Sequence, residues 1–524
     1  MREYSKVDSA ESAESQSKFT PPYYEFFGDS FVVHDPVWGE CRIGEEAGDQ
    51  VLLALLHNPL VRRMMAVEQL SLDKQTETVS GTAPFTRWEH MWGSVAFVRK
   101  MTENQGMDAR DRLILQLRTF VSDLGHTAFS HIGDWIAQQM MTEDQHDLDL
   151  PQLLEQSGII DLLGSFDIAK EEILTDTQDW IECDAPELCV DRVDYAARQL
   201  LRWFGDDETA RRVLRPESFS VVDGRLVMNN EADARWFSKA FLLLSTEHFS
   251  EPFHRMQLKF QEEVVRYVMA CPYVPLLSLY DGHRGVYAPR KQMYTIDGDI
   301  HYTADKFAYS RQLRTLMEAF GQQRRQRFAQ QRQPAMRQYL QADTTDYPDP
   351  FTQEQHDTGT EVVSVGLGDA TISLRPVDSA ELGLAKDVPE RGIYEFGLPI
   401  LKPRFVDAPY KQPVTDEEVA QGVPFQVDPI TGQAFRVCRV SEADANFRQL
   451  MAEQRRIFQR AYIGRLSVSE ALSGVLSHGR AELAVEWPKA LARPPMPKEV
   501  FQRMLGNSVS TAAVFIKIDL RWYD

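Results

Sequence analysis

Three side chains that lie far apart in the sequence could together hold a metal ion: His90, Asp123 and Asp191. Imidazole nitrogen and carboxylate oxygen suit Fe, Mn, Co, Ni or Zn, and Mg becomes a candidate when oxygen ligands dominate. A divalent ion held in this way can polarise a phosphate oxygen and lower the pKa of water, which turns water into a nucleophile. Spacing alone does not single out this triplet, because a chain of 524 residues contains many combinations of histidine and aspartate.

The candidate ligands fall in segments whose apolar periodicity predicts helices. Apolar residues recur at helical spacing between 113 and 124, which places Asp123 near the end of a core helix, and Gly125 fits its termination. A second such pattern, from 193 to 204, places Asp191 near the start of another helix. Because the ligands must converge from separate segments, the triplet needs a helical bundle around it.

The rest of the chain predicts a mainly α protein with a smaller α+β region towards the C-terminus. Proline and glycine cluster after residue 272, and the alternating patterns at 362–374 and 425–437 predict hairpins, the first turning at Gly368-Asp369. Helical spacing returns at 441–465. The predicted organisation is a disordered tail at 1–20, a helical domain at 21–272, a helical extension at 273–341, a strand-rich subdomain at 342–440 and a helical region at 441–524.

Composition limits the classes of partner. The formal charge is −21, with 78 acidic against 57 basic residues, which disfavours a general nucleic-acid binder because such proteins present basic surfaces. A local basic run, Gln322 to Arg332, could bind phosphate or RNA, or could form a solvated face or a partner surface. We expect no nucleic-acid partner for the protein as a whole.

Cysteine usage and hydropathy predict a cytoplasmic protein. The five cysteines show no CxxC pair, which predicts reduced thiols: Cys41, Cys183, Cys189, Cys271 and Cys438. The polar N-terminus has no apolar signal core, and no segment approaches the roughly 20 apolar residues of a spanning helix. We therefore expect no membrane association.

Several motifs follow one another along the chain: R-W-E-H at 87–90, S-D-L-G-H-T-A-F-S-H at 122–131 and D-R-V-D-Y-A-A-R at 191–198. In this order they resemble the HD-domain phosphohydrolase superfamily, in the branch that contains the dNTP triphosphohydrolases. That branch reads R-F-E-H-S, then H-D-[IL]-G-H-x-P-F-S-H, then D-x-x-D-Y-x-x-R-D. H-D-P-V-W-G at 34–39 and V-E-Q-L at 67–70 are similar to its earlier elements, so the resemblance covers about residues 30–270.

The resemblance implies a multi-helix HD-domain core at 21–272 and a role for each matching residue. Metal ligands would be His90, Asp123 and Asp191. Active-site histidines would be His126, His131 and His146, and substrate contacts would come from Arg87, which would also assist catalysis, Tyr195 and His254. Structural alternatives stay open: His131 as a core histidine bonded to a carbonyl, Arg87 as a partner of Glu89 or Asp123, and His146 in a surface acidic loop.

The chain departs from the family pattern at four positions. Ser122 stands where the family has the histidine of its His-Asp pair, and a serine hydroxyl is a poor ligand for a transition metal, so the site would shift towards harder ions such as Mg²⁺ or Mn²⁺. Gln199 replaces an acid that follows Arg198. Ser250 and Leu258 stand where the branch has a nucleotide-binding arginine and tyrosine, which makes a dNTP substrate doubtful.

Two functional hypotheses follow. In the first, the protein is a metal-dependent phosphohydrolase that uses metal-activated water on a nucleotide or small phosphoester, with Mn, Mg, Fe, Ni or Zn as the divalent cofactor. In the second, it is a degenerate HD domain that binds a nucleotide or a protein partner without turnover. The resemblance also implies a homo-oligomer.

Overall fold

A computed structural model gives the structure of the chain. The residues it describes are 22–27, 30–69, 85–103, 107–136, 145–174, 180–205, 207–270, 307–341, 361–365, 370–378, 382, 386–398, 404–458 and 461–491. The predicted tail at 1–20, the boundary after 272 and Cys271 therefore lie outside the described residues. Within the described ranges, no helix is both long enough and apolar enough to cross a bilayer.

The described chain begins with a three-stranded antiparallel meander that the sequence patterns did not predict. Its strands are β1 (Tyr23–Phe27), β2 (Ser30–Asp35) and β3 (Gly39–Ile43). Asp35 closes the turn between β2 and β3, because its carboxylate accepts the backbone N–H groups of Val37 and Trp38 at 2.8 and 2.9 Å. This turn places the side chains of Asp35 and Trp38 against the helices of the first half.

Helices then form the first half of the molecule, with one short hairpin among them. They are α1 (Asp49–Leu55), α2 (Pro59–Arg63), α3 (Arg87–Thr102), α4 (Ala109–Val121), α5 (Ile132–Ile136), α6 (Gln145–Gln156), α7 (Ile159–Gly164), α8 (Lys170–Ile173), α9 (Val190–Phe204), α10 (Glu208–Val213), α11 (Glu231–Leu244) and α12 (Pro252–Ala270). Strands β4 (Phe219–Val222) and β5 (Arg225–Met228) form the hairpin. Helix α3 packs against both α4 and α9, which brings the three candidate ligand segments together.

The second half alternates helices and strands. Its helices are α13 (Ala308–Arg327), α14 (Gln333–Gln341), α15 (Asp416–Ala420), α16 (Val440–Ala443), α17 (Ala445–Phe458) and α18 (Glu470–Leu491). Its strands are β6 (Glu361–Val365), β7 (Ala370–Val377), β8 (Ile393–Leu398), β9 (Pro409–Pro413), β10 (Gln426–Val427), β11 (Ala434–Arg439) and β12 (Ala461–Ser467). One sheet has the order β6-β7-β12-β8, and the other has the order β10-β11-β9-β5-β4.

Most sequence expectations about elements agree with these bounds. The mainly α class is confirmed, and both predicted hairpins are present, as β6 with β7 and as β10 with β11. The expectation of helix throughout 441–465 is wrong in its last part, because β12 begins at Ala461. Ala461 is buried, as the helical spacing required, but it is the first residue of a strand.

Neither hydrophobic core follows the division of the sequence into halves. The larger core joins β2, α3, α4, α9 and α11 to Val406, Ala408 and Tyr410. The smaller core joins Ala128, Phe129 and α12 to β7, β8, β12 and α18. The motif at 122–131 lies where the two cores meet, since Leu124 packs in the first and Ala128 in the second.

Two arginines of the basic run at 322–332 have a structural role. Arg324 pairs with the buried Glu251 at 2.6 Å, and Arg332 pairs with the buried Glu247. These two arginines therefore neutralise acids beside α12, and are not available as an open phosphate-binding surface.

A buried charge network ties the first meander to the helices. Arg198 on α9 is fully buried and donates to Asp194 Oδ2 at 2.8 Å and to Asp35 Oδ2 at 2.5 Å. Trp38 Nε1 also donates to Asp194, at 2.5 Å. Gly93 on α3 makes room for this guanidinium, because a Cβ atom at Gly93 would lie 1.5 Å from Arg198 Nη2. A buried ion pair of this kind is costly to break, since each charge would lose its partner in a poorly solvated interior.

We expect Gly93→Ala to destabilise the fold strongly. The added methyl group must displace Arg198 and uncouple it from both carboxylates, so the free energy of unfolding should fall by about 3–5 kcal/mol. Chemical denaturation followed by circular dichroism measures the loss. Gly164→Ala is the matched control, because a Cβ atom there meets nothing within 4 Å, and its effect should stay under about 1 kcal/mol. Equal effects of the two substitutions would contradict the assigned role of Gly93.

Candidate functional site

His90, Asp123 and Asp191 meet at one point in the structure. One ligand atom of each lies within 4.8 Å of the others. His90 Nε2 is 3.0 Å from Asp191 Oδ1 and 3.5 Å from Asp123 Oδ2. His90 lies in the first turn of α3, Asp191 in the first turn of α9, and Asp123 in the 3-10 turn Ser122–Gly125 that directly follows α4. The three side chains thus come from three separate segments, as a site that encloses an ion requires.

Asp194 orients the imidazole of His90. Its Oδ2 lies 2.6 Å from His90 Nδ1, so a proton on Nδ1 is held by the carboxylate and Nε2 is turned towards Asp123 and Asp191. Metal-binding histidines commonly have their second nitrogen bonded to a carboxylate in this way, which fixes the tautomer. Asp194 is held in turn by Arg198 and Trp38. The network that stabilises the fold therefore also sets the direction of a candidate ligand.

Charge dominates the ionisation of this triplet. Burial disfavours the charged form of His90, but the carboxylates of Asp123, Asp191 and Asp194 outweigh burial and raise its pKa to about 10. Burial would raise the pKa values of Asp123 and Asp191, yet neighbouring cations lower both, chiefly Arg87 for Asp123 and His90 for Asp191. A proton on His90 thus occupies the position where the two carboxylates converge, and a divalent cation would satisfy the same charges.

Arg87 braces Asp123 from the other side. Its Nη1 donates to Asp123 Oδ1 at 2.7 Å and its Nε donates to Ser130 Oγ at 3.0 Å. Within the described residues, Arg87 Nη2 and Asp123 Oδ2 are buried and make no hydrogen bond. One alternative from the sequence was that Arg87 pairs with Asp123, and the structure shows this pair. The Nη2 group of Arg87 is a further donor beside the site.

The turn that carries Ser130 is strained. Phe129 and Ser130 have φ values of 58° and 50°, a conformation that L-residues other than glycine rarely adopt, and such residues cost on the order of 1–3 kcal/mol each. Ser130 Oγ donates to the carbonyl of Glu68 at 2.5 Å, and Thr127 Oγ1 lies 3.1 Å from the carbonyl of Ser130. These bonds hold the turn in place and thereby set the relative positions of His126 and His131.

A second cluster lies beside the triplet and contains His126, His131, Asp134 and His146. Asp134 Oδ2 is 3.0 Å from His131 Nδ1 and 3.2 Å from His146 Nδ1, so one carboxylate orients two imidazoles. The rings of His126 and His146 stack with centroids 3.7 Å apart. His126 Nε2 lies 3.5 Å from Asp123 Oδ1, which joins this cluster to the triplet.

His126 and His146 differ in ionisation. Burial and then the charges of Arg87 and His146 lower the pKa of His126 well below its ordinary value, so His126 is neutral near pH 7. Burial also opposes the charging of His146, but the hydrogen bond and charge of Asp134 outweigh it and raise the pKa of His146. Asp134 itself would have a raised pKa from burial, and the two imidazoles lower it instead.

Gly125 allows α6 to reach the cluster. A Cβ atom at Gly125 would lie 2.2 Å from the carbonyl oxygen of His146, so any larger residue would push α6 away. His146 N also donates to Asp134 Oδ1 at 3.1 Å. His146 therefore belongs to the cluster in the structure, although the acids around it in sequence were equally compatible with a surface loop.

The structure adds residues that the sequence reasoning missed. Asp134 and Asp194 both lie three residues beyond a predicted site residue, and Asp194 was within a quoted motif, so the spacing could have indicated them. Arg404 had no such signal: its Nη2 lies 3.3 Å from His131 Nε2, across 273 positions of sequence.

Other predicted residues lie further from the triplet. The Tyr195 ring is 6.4 Å from the His90 ring and packs against Phe241 and Phe249, and burial raises the pKa of its hydroxyl. His254 is buried on α12 with its ring 4.9 Å from that of His248, and neither cluster includes it.

The departures from the family pattern have local explanations in part. Ser122 Oγ donates to the carbonyl of Thr119 at 3.0 Å, so its hydroxyl is used within the end of α4. Leu258 packs in the smaller core. Gln199 is buried, and the structure gives no reason for an amide at that position.

The described cysteines carry no disulfide bond. Cys41, Cys183, Cys189 and Cys438 are free, which agrees with the expectation of reduced thiols.

Comparisons with known proteins give related but distant matches. No protein-family model matches the chain. The chain is 28% identical over 222 residues to the uncharacterized protein YdhJ of Bacillus subtilis, and the aligned region covers 42% of this chain and 63% of that protein. It is 26% identical over 231 residues to the metal-dependent phosphohydrolase cns2 of Cordyceps militaris, and the aligned region covers 43% of this chain and 62% of that protein. In both cases the match spans less than two thirds of the relative's length.

Among solved structures, the chain is similar to a phosphohydrolase of Bacteroides thetaiotaomicron, with a TM-score of 0.45 and 13% identity, over 84% of this chain and 99% of that one. The similarity to a metal-dependent phosphohydrolase supports the resemblance to an HD-type phosphohydrolase superfamily. It does not bear on the dNTP triphosphohydrolase branch.

The raised pKa of His146 predicts a pH-dependent contribution to stability. A histidine whose pKa is higher in the folded chain stabilises the fold fully below its unfolded pKa of about 6.5, and that contribution is lost as the pH rises through the folded value. In metal-free protein, the free energy of unfolding should therefore fall more steeply as the pH rises above about 6.5 in the native chain than in His146→Gln, by at most about 1.4 kcal/mol per pH unit. Urea titrations at several pH values measure the difference. Parallel pH profiles would contradict a charged His146–Asp134 pair.

Proposed function

We propose that the protein is a metal-dependent phosphohydrolase that acts on a nucleotide or another small phosphoester. The observation that carries the proposal is the meeting of His90, Asp123 and Asp191 within 4.8 Å, directly beside a cluster of three histidines and one aspartate. The similarity to a protein described as a metal-dependent phosphohydrolase supports it. The superfamily resemblance of the motifs at 87–90, 122–131 and 191–198 points in the same direction.

The donor set of the triplet fits a divalent cation. One imidazole nitrogen and two carboxylate oxygens suit Mn, Fe, Ni, Zn or Mg. Asp123 Oδ2 is buried without a hydrogen bond among the described residues, which is the state expected of an atom that serves as a ligand. His90, Asp123 and Asp191 would hold the ion. The chemistry that a divalent ion supplies when bound is polarisation of a phosphoryl oxygen and acidification of water.

The neighbouring cluster provides groups for proton transfer. Asp134 Oδ2 accepts a hydrogen bond from Nδ1 of His131, so Nε2 is the nitrogen that can take a proton from water or give one to a leaving group. His131 is the most suitable of the three for this work because its side chain is 24% exposed, whereas His126 is buried and neutral. An imidazole is well matched to acid–base catalysis near neutral pH. His146 contacts the same Asp134 carboxylate as His131.

Arg87 would offset negative charge on the phosphoryl group. Its buried Nη2 makes no hydrogen bond within the described residues, while Nη1 and Nε fix the guanidinium on Asp123 and Ser130. A preorganised donor of this kind stabilises developing charge without reorganisation. We propose Tyr195 as a wall of the substrate site, since its ring lies 6.4 Å from that of His90 and 5.8 Å from that of Phe249. A contact of His254 with substrate remains a prediction from the resemblance.

The decisive experiment measures metal content and phosphate release together. We expect chelation to abolish hydrolysis and one of Mn²⁺, Mg²⁺, Fe²⁺, Ni²⁺ or Zn²⁺ to restore it, on a panel of nucleoside mono-, di- and triphosphates and p-nitrophenyl phosphate. Asp123→Asn should lower both metal content and turnover. His131→Gln should keep the metal and lower kcat by about 100-fold or more. The exposed His57, on a turn with no neighbouring motif, supplies the control His57→Gln.

Absence of both metal uptake and turnover would sink this proposal. If a nucleotide still bound in calorimetry, that result would favour a degenerate HD domain that binds without turnover.

Ser122 gives a second test of the metal site. Ser122→His adds an imidazole next to Asp123, so we expect tighter binding of Fe²⁺, Ni²⁺ or Zn²⁺ relative to Mg²⁺, because imidazole suits these ions better. Ser122→Ala is the control, since it removes the hydrogen bond to Thr119 without adding a ligand. Metal competition measured by calorimetry compares the three proteins. Weaker binding in Ser122→His than in Ser122→Ala would show that this position is not directed at the ion.

A further inference from the structure

Arg404 reaches the histidine cluster from the second half of the chain. Its Nη2 lies 3.3 Å from Nε2 of His131. Arg404 is half-buried and lies well beyond residues 30–270, where the family motifs end. The residue therefore contacts the proposed proton-transfer group without belonging to any motif of the site.

The segment 404–408 is fixed against the first half. Ser245 Oγ donates to the carbonyl of Arg404, and the N–H of Ala408 donates to Ser238 Oγ at 3.0 Å. Asp407 N donates to the carbonyl of Pro186 at 3.1 Å. The Arg404 guanidinium carbon lies 5.8 Å from the ring centroid of Phe249. Backbone bonds at both ends of the segment and this ring contact hold Arg404 at the cluster.

In the contact between Arg404 and His131, the donor and the acceptor can be assigned. Because Asp134 lies 3.0 Å from Nδ1 of His131, the proton on the ring is held at Nδ1 and Nε2 is an acceptor. Arg404 can only donate, so its N–H points at the same Nε2 that would exchange protons with substrate. The positive charge of Arg404 also acts on Tyr195, where it opposes the effect of burial on the pKa of the hydroxyl. Arg404 thus lies near both His131 and Tyr195.

A second guanidinium, that of Arg87, is linked to the cluster through Asp123. Arg87 contacts Asp123, which contacts His126, and the His126 and His131 rings are 4.9 Å apart. Arg87 Nη2 is a buried donor without a hydrogen bond among the described residues. Guanidinium groups beside imidazoles suit the multiply charged oxygens of a tetrahedral phosphate group, because an arginine can donate two parallel hydrogen bonds to them.

We propose that Arg404 binds a terminal phosphate of the substrate against His131, together with Arg87. The inference rests on the proposed phosphohydrolase function and deepens it: the substrate class is a phosphomonoester or a polyphosphate end with two negative charges. In the absence of substrate, the Arg404 N–H is directed at His131 Nε2. With a phosphate bound, the guanidinium donates to phosphate oxygens, and His131 Nε2 becomes available for proton transfer.

The test compares Arg404→Ala, Arg404→Lys and Arg404→Gln with the native full-length, metal-loaded chain. The probe is inorganic phosphate, whose dissociation constant is measured by calorimetry without any turnover. We expect Arg404→Ala to weaken phosphate binding and to raise KM for p-nitrophenyl phosphate by about 10- to 100-fold, the loss expected for hydrogen bonds to a charged group. Arg404→Lys should recover part of the affinity because it keeps the charge. The smaller effect on kcat separates binding from catalysis.

Arg436→Ala is the matched control. Arg436 also lies in the second half, and its Nε donates to Gln412 at 2.9 Å, away from both clusters. Its removal should leave the phosphate affinity and KM unchanged. If Arg404→Ala fails to fold, Arg404→Gln gives the same readout because it retains a side chain of similar length without the charge.

The outcomes separate this inference from the proposed function. A native chain that neither binds phosphate nor releases it from any substrate overturns both. A native chain that hydrolyses substrate, with unchanged phosphate affinity and KM in Arg404→Ala and Arg404→Gln, overturns the role of Arg404 alone. Equal losses on p-nitrophenyl phosphate and on bis(p-nitrophenyl) phosphate would overturn the assignment to a doubly charged phosphate.

Discussion

The need to neutralise buried carboxylates determines how this site is built. Asp35, Asp123 and Asp194 are all at most 6% exposed, and none could remain charged in such surroundings without a cation or a proton nearby. Arg198 neutralises Asp35 and Asp194, and Arg87 neutralises Asp123. The imidazole of His90 lies between the carboxylates of Asp123 and Asp194. The candidate metal ligand is thus one member of a continuous row of alternating charges, and the fold and the site share one set of interactions.

Much of this arrangement follows from the sequence, because helical periodicity and ordered motifs carry it. The apolar stripe before Asp123 places that residue at the end of a helix, and the structure puts it in the 3-10 turn directly after α4. The pattern did not predict the left-handed Phe129 and Ser130, since tertiary bonds to Glu68 and Arg87 hold that turn. Arg404 could not be predicted at all: no local pattern connects it to His131, and only the docking of segment 404–408 brings the two together.

The pairing of the sheets was likewise only partly predictable from local sequence patterns. The hairpins of the second half were predictable from alternation, but the five-stranded sheet that joins β5 to β9 was not, because that pairing links positions far apart through a single parallel contact between Met228 and Tyr410. The larger core includes Tyr410 for this reason. Non-local pairing of this kind makes the second half part of the structure that surrounds the site, so that a functional account restricted to the motif-bearing half would be incomplete.

Gly93 has a consequence for how related chains can differ. The guanidinium of Arg198 occupies the space where a side chain would otherwise stand on α3, one turn after His90. A related chain with a bulkier residue at position 93 could not keep Arg198 in this place. Asp194 would then lose the partner that keeps it ionised beside His90. The two positions should therefore covary across homologues, glycine with arginine, and a chain that breaks the pairing should also show a changed residue at Asp35.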